Sequence, residues 1–152
     1  MAGWTNRGKY NVLGATYRAV ALPVAFYMAL FTVANVPDAD TNVVGDLTEI
    51  TAGNGYVTGG SSLTPGVVDF DVFVEDDVND RAYVQCVDIT WTAVGGPIPS
   101  AGADARYAAL TDDAGVIANR EIWQYFDLAA GYAVTVGQDL TLQDAEIRIN
   151  EV

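Results

Sequence analysis

The stretch from Tyr83 to Thr92 alternates as extended chain does. Tyr83, Gln85, Val87, Ile89 and Trp91 fall on one side, and Val84, Cys86, Asp88, Thr90 and Thr92 on the other. A helix would scatter both sets round its circumference, so the period of two predicts a strand. The same period returns in Leu140 and Leu142, and again in Ile147 and Ile149. Val24, Phe26, Met28, Phe31 and Val33 belong to a near-continuous apolar run, the pattern of a strand covered on both faces. Strands are expected at 24–33, 47–51, 67–74, 82–93, 105–110, 120–126, 131–136, 139–142 and 145–149, each rich in β-branched or aromatic residues. Asn54-Gly55, Gly59-Gly60, Gly95-Gly96-Pro97 and Ala114-Gly115 supply turn chemistry between them. Short strands joined by such turns predict an all-β fold, an antiparallel β-sandwich of jelly-roll-like form. Residues 94–104 make the longest irregular loop, expected to cross between sheets.

The expected core is Phe26, Met28, Leu30, Phe70, Val72, Val87, Ile89, Trp91, Ile122 and Ile147. Cys86 should be a buried, inert thiol. The 152 residues fit one domain. Residues 1–10 read as a polar arm ahead of a single domain over 11–152. The spacing of Leu13, Tyr17 and Val20 predicts a short helix within residues 10–20, weakened by about 1 kcal/mol at Gly14. Residues 19–36 carry no charge and follow Arg7, Lys9 and Arg18, superficially like a signal peptide or a membrane span. Pro23 and the polar Tyr27, Thr32 and Asn35 oppose that reading, and no membrane partner is expected.

Charge and missing residue types narrow the chemistry. The chain has 7 basic and 20 acidic residues, net −13. Gripping a phosphate backbone needs clustered Lys and Arg, so nucleic acid is not an expected partner. There is no His and one Cys, which excludes His-dependent triads, internal disulfides and Cys-pair zinc sites. Lys9 is the only lysine. No catalytic residue, cofactor or metal is expected.

Three motifs invite sharper readings. Asp38, Asp40, Asn42, Asp46 and Glu49 follow part of the calcium-loop template, but Val43 stands where the turn needs Gly and no helix precedes. An acidic loop between strands is the plainer account. Glu75, Asp76, Asp77 and Asp80, and the pair Asp112-Asp113, could serve a carboxylate-based glycan hydrolase; a solvated hairpin tip is the plainer account, and the hydrolase is the weakest of the three functional readings. Gly53 to Gly60 is Gly-rich but lacks the Gly-Lys of a phosphate loop. Trp91 and Trp123 sit in strands and are expected in the core.

The strand Ala25-Phe-Tyr-Met-Ala-Leu-Phe-Thr32, Asp46-Leu-Thr-Glu-Ile50, Gly53-Asn-Gly-Tyr56 with Gly59-Gly60, Asp88-Ile-Thr-Trp-Thr-Ala93 and Asp139-Leu-Thr-Leu-Gln143 form a series of strand-and-turn phrases. As a whole, from about residue 10 to the end, the pattern resembles small virion structural proteins of tailed bacteriophages. The resemblance implies a jelly-roll-like β-sandwich and a non-enzymatic role in the virion, as a capsid decoration or cement protein or in a tail assembly. It implies major capsid protein or other virion proteins as partners, homo-oligomers on the particle, and assembly in the bacterial cytoplasm. It carries over no functional residue.

The charge layout agrees with such a role. Arg7, Lys9 and Arg18 precede a body, residues 19–152, with four basic residues against all 20 acidic ones, net −16. A basic, aromatic segment on an acidic body suits docking to an acidic neighbour. Trp4, Arg7, Lys9 and Tyr10 are the expected interface residues, because Trp and Arg are frequent interface anchors. Head decoration is the leading expectation; the alternative is a receptor- or carbohydrate-binding module of a tail fibre or baseplate.

Overall fold

The computed structural model describes residues 2–150. In chain order its elements are β1 (Ala2–Trp4), α1 (Asn6–Arg18), β2 (Phe26–Phe31), β3 (Ser61–Leu63), β4 (Val72–Asp76), β5 (Arg81–Gln85), β6 (Ile89–Thr92), β7 (Ala105–Thr111), β8 (Ile122–Tyr132), β9 (Asp139–Leu142) and β10 (Glu146–Asn150). The fold is mostly β, and its strand pairs are antiparallel. A five-stranded sheet has the order β1-β8-β7-β2-β3, a three-stranded sheet β10-β5-β4, and β6 pairs with β9.

The apolar run of β2 behaves as its composition demands. Met28, Ala29, Leu30 and Phe31 are all buried, because both faces of the five-stranded sheet are covered. Met28 and Leu30 join Leu110, Ala108 and Phe126 in a core cluster that also takes in Ile89, Trp91 and Leu140 of the β6-β9 pair. Ala29 and Phe31 join Tyr107, Ala109, Ile122 and Val44 on the other face.

Several expectations change against this frame. The expected strand 82–93 is two strands in two sheets. After Gln85 the chain leaves β5, Cys86 N–H donates to the Ala145 carbonyl at 3.0 Å, and Val87 N–H donates to Asp69 at 3.1 Å. The burial phase slips there: Cys86, Ile89 and Trp91 are buried while Val87 is half-buried. A period of two cannot reveal a strand that changes sheets, because both halves keep it. Phe26, Phe70, Val72 and Ile147 are half-buried rather than buried. Ile122 is buried in the second cluster, on the face opposite to Met28 and Leu30. The expected strand 47–51 contributes a single bridge, Phe31 with Glu49, and 131–136 merges at its start into β8. The loop over 94–104 does carry the chain from the β6-β9 pair to the five-stranded sheet, and Ile98 is buried on the way.

The N-terminal segment does not stand apart as an arm. Ala2, Gly3 and Trp4 pair with Phe126, Tyr125 and Gln124, making β1 an edge strand of the five-stranded sheet. The helix begins at Asn6, not Tyr10, and runs through the expected boundary between residues 10 and 11. Thr5 starts it: its hydroxyl accepts from Gly8 N–H at 2.9 Å, the N-cap bond that satisfies an otherwise orphaned donor. Ala19, in left-handed conformation, ends it.

Candidate interaction surface

The site is assembled around a bulge in β8. Thr111 pairs with Ile122 and Leu110 with Gln124, so Trp123 is the extra residue. The bulge leaves the Ile122 and Trp123 carbonyls facing the N-terminal segment. Thr5 N–H donates to the Trp123 carbonyl at 3.2 Å, and the Thr5 hydroxyl donates to that of Ile122. Thr5 is wholly buried. The helix then lies down on the bulge through Gly8, and its other buried position, Gly14, is covered by Val20 just beyond its end. Its apolar residues face the other way. Tyr10, Leu13 and Tyr17, spaced i, i+3, i+7 on one stripe, are 67%, 56% and 77% exposed. The face that carries Leu13 and Tyr17 is thus the outer one.

Charge reinforces this. α1 carries Arg7, Lys9 and Arg18 and no acidic residue. Arg7 turns back onto the body, 3.6 Å from Glu121, which also accepts from Asn11 at 2.7 Å. Lys9 and Arg18 make no ion pair among the described residues. Between α1 and the end of β10 runs a groove of about 560 Å³, walled by Lys9, Val12 and Leu13 on one side and Arg148 and Ile149 on the other. Trp4 lies in its floor.

The structure therefore divides the four sequence-derived residues. Lys9 and Tyr10 are exposed. Arg7 is half-buried on its own body. Trp4 is half-buried, and its indole N–H donates to the Arg148 carbonyl at 2.7 Å. Gln124 does the same one pair along, donating from Nε2 to the Glu146 carbonyl at 3.1 Å. Two side chains of the five-stranded sheet thus bond the edge of β10, tying the two sheets together. Sequence reasoning missed Leu13, Tyr17 and Ile149 as surface residues, because apolar periodicity marks a face without saying which way it points.

The acidic motifs hold turns. Asp46 accepts from the Asn42 and Val43 amides at 3.0 and 3.1 Å, and Asp38 from the Asp40 amide at 2.9 Å. Glu49 accepts from the Tyr56 hydroxyl at 2.7 Å and the Gly59 amide at 2.6 Å. No group of three or more Cys, Asp or Glu side chains converges as a metal site among the described residues. Glu75 to Asp80 form the β4-β5 hairpin tip, where the hydrogen bond from Arg81, then that from Asn79, holds the Asp76 carboxyl below the usual range. Asp112 accepts from the Glu121 and Ala114 amides at 2.9 and 3.2 Å, while burial pushes its carboxyl above the usual range. Trp91 and Trp123 are buried, away from any solvent-facing platform. No helix among the described residues is long and apolar enough to cross a membrane.

Comparison of the chain with protein-family models, with curated proteins and with solved structures finds no match to any of them.

Proposed function

We propose that this chain is a non-enzymatic structural protein of a phage virion, a decoration or cement protein that binds and stabilises the head, with α1 as a docking surface. The observation that carries the reading is the outward-facing stripe of Tyr10, Leu13 and Tyr17 on a helix with only basic charge, mounted on a strongly acidic body. A lone exposed apolar residue is ordinary; a stripe of them rimmed by charge marks an interaction site. Of the carboxylates that suggested hydrolysis, Asp76, Asp112 and Asp113 are engaged by backbone amides or by Arg81, and Glu75, Asp77 and Asp80 lie exposed at a hairpin tip, which favours a structural role over glycan cleavage.

The finer architecture follows the same reading. We take the five-stranded sheet and the smaller sheets as layers of a β-sandwich of jelly-roll-like form. The shared core cluster between them and the two side-chain bonds onto β10 support it.

The test uses virions from a bacterial host producing the tagged full-length chain. The chain should co-sediment with filled heads on a density gradient. Leu13→Asp with Tyr17→Asp should reduce its occupancy about ten-fold or more while leaving the melting transition of the free protein in place. Absence of the wild-type chain from virions, or equal occupancy of the variant, would overturn the reading.

A further inference from the structure

We propose that the surface around Ile149 is a two-fold self-association surface, on which α1 of one copy lies against the β4-β5 hairpin of a second copy; the inference rests on reading α1 as a docking surface. The three-stranded sheet supplies the first half of the reasoning. Its register places Phe73, Val84 and Ile147 on one face, followed on the same face by Glu75, Ala82 and Ile149. Val84 and Ile147 are covered: with Trp4, Phe26, Phe70 and Trp123 they line an apolar cavity of about 270 Å³. The remainder of that face overhangs the body. Phe73 is 85% exposed and Ile149 61% exposed, with Ala82 exposed between their strands. The outer half of that sheet face therefore exposes Phe73, Ala82 and Ile149, with Glu75 at its edge.

Ile149 joins this overhang to the helix. It lines the groove beside Lys9 and Leu13, and it also lines the hollow of the hairpin, where Arg81 is neutralised by Asp76 and Glu146 and leaves Glu75, Asp77 and Asp80 as the excess charge. One continuous surface thus has an apolar middle, a basic end made by Lys9 of α1 with Arg148 beside it, and an acidic end on the hairpin. A single-sign patch would repel its own copy. A patch divided this way is self-complementary, because a two-fold axis through its middle sets each basic end against the partner's acidic end, twice. Charge complementarity between the two ends of one patch is what selects a second copy over any other occupant.

The experiment is sedimentation of the full-length chain across concentration, at low and high salt. A dimer that weakens as salt rises is expected, since exposed charges are screened. Two exposed charge variants sharpen it. Lys9→Glu makes both ends acidic, and Glu75→Lys with Asp77→Lys makes the hairpin basic. Each alone should raise the dimer Kd about ten-fold or more. Mixed in equal amounts they should form heterodimers with affinity near the wild type, because both contacts regain opposite charge. A wild-type chain that stays monomeric, variants that dimerise unchanged, or a mixture that fails to recover would each overturn self-association. Virion occupancy is read in parallel. A monomeric wild type whose Leu13→Asp/Tyr17→Asp variant still loses occupancy would sink self-association and leave the docking role standing; unchanged occupancy would sink the docking role itself.

Discussion

Gly8 of the helix rests directly on the backbone carbonyl of Trp123, so close that a Cβ at position 8 would lie well inside contact distance of that oxygen. The neighbour is backbone within a sheet and cannot rotate away. Ala is the better helix former by about 1 kcal/mol, but the clash opposes it. Gly8→Ala should therefore lower stability by about 1–3 kcal/mol, the usual cost of forcing atoms into a packed contact. Urea titration of the two proteins gives the difference.

Residues 1–10 contain a strand, the helix cap and the Trp4 bond to Arg148. Deleting them uncovers the edge of β8 and removes the partner of a β10 carbonyl. The truncated chain should lose several kcal/mol of stability, since it combines loss of a cap with loss of buried hydrogen bonds and packing. A truncated protein with a wild-type melting transition would show that the segment is only appended to the body.

Tyr56 is 1% exposed, and its hydroxyl donates to Glu49 while accepting from Leu30 N–H at 3.0 Å. Burial, reinforced by the Glu49 charge, drives the phenol far above its ordinary range, so it stays protonated and able to donate. Tyr56→Phe strands the amide of a core strand and should cost about 1–3 kcal/mol. Amide hydrogen exchange at Leu30 should quicken in the same variant.

Cys86 is buried and unpaired, and burial pushes its thiol up to about 12. In the unfolded chain the thiol ionises near its ordinary value of about 8.5. Over that interval the native state holds the proton and the unfolded state releases it, so stability falls as pH rises from about 8.5 toward 12. Tyr56 acts in the same direction above about 10. Cys86→Ala should flatten the earlier part of this alkaline decline, seen in melting temperatures taken from pH 8 to 11. Native protein at pH 8 should react with a thiol reagent far more slowly than unfolded protein.

Composition and period made the β character and much of the core legible. Met28, Leu30, Ile89 and Trp91 were readable because their strands either stay buried on both faces or alternate cleanly. Ala2–Trp4 and Ser61–Leu63 were not, because three residues hold too little alternation to register and owe their pairing to the neighbouring strands. The break at Cys86 was hidden for a different reason: extended chain looks the same on either side of it. At the helix, the stripe of Leu13 and Tyr17 was visible while its direction was not. That direction depends on Gly8 and Thr5 meeting a bulge more than a hundred residues away. Lys9 and Tyr10 were found as exposed residues through charge and residue type, and Ile149 went unseen because only the tertiary fold brings it beside α1.

The bond from Trp4 to Arg148 spans 144 positions of the chain. Among the described residues, β1 thus finds support in β10, far along the chain. During synthesis β1 waits more than a hundred residues for β8 to pair with, and longer for the Arg148 carbonyl, and closing so wide a loop carries an entropic cost. Until those residues emerge, the nascent chain carries Trp4 without its native partners. Contacts of this sequence separation also place the molecule among slow-folding topologies.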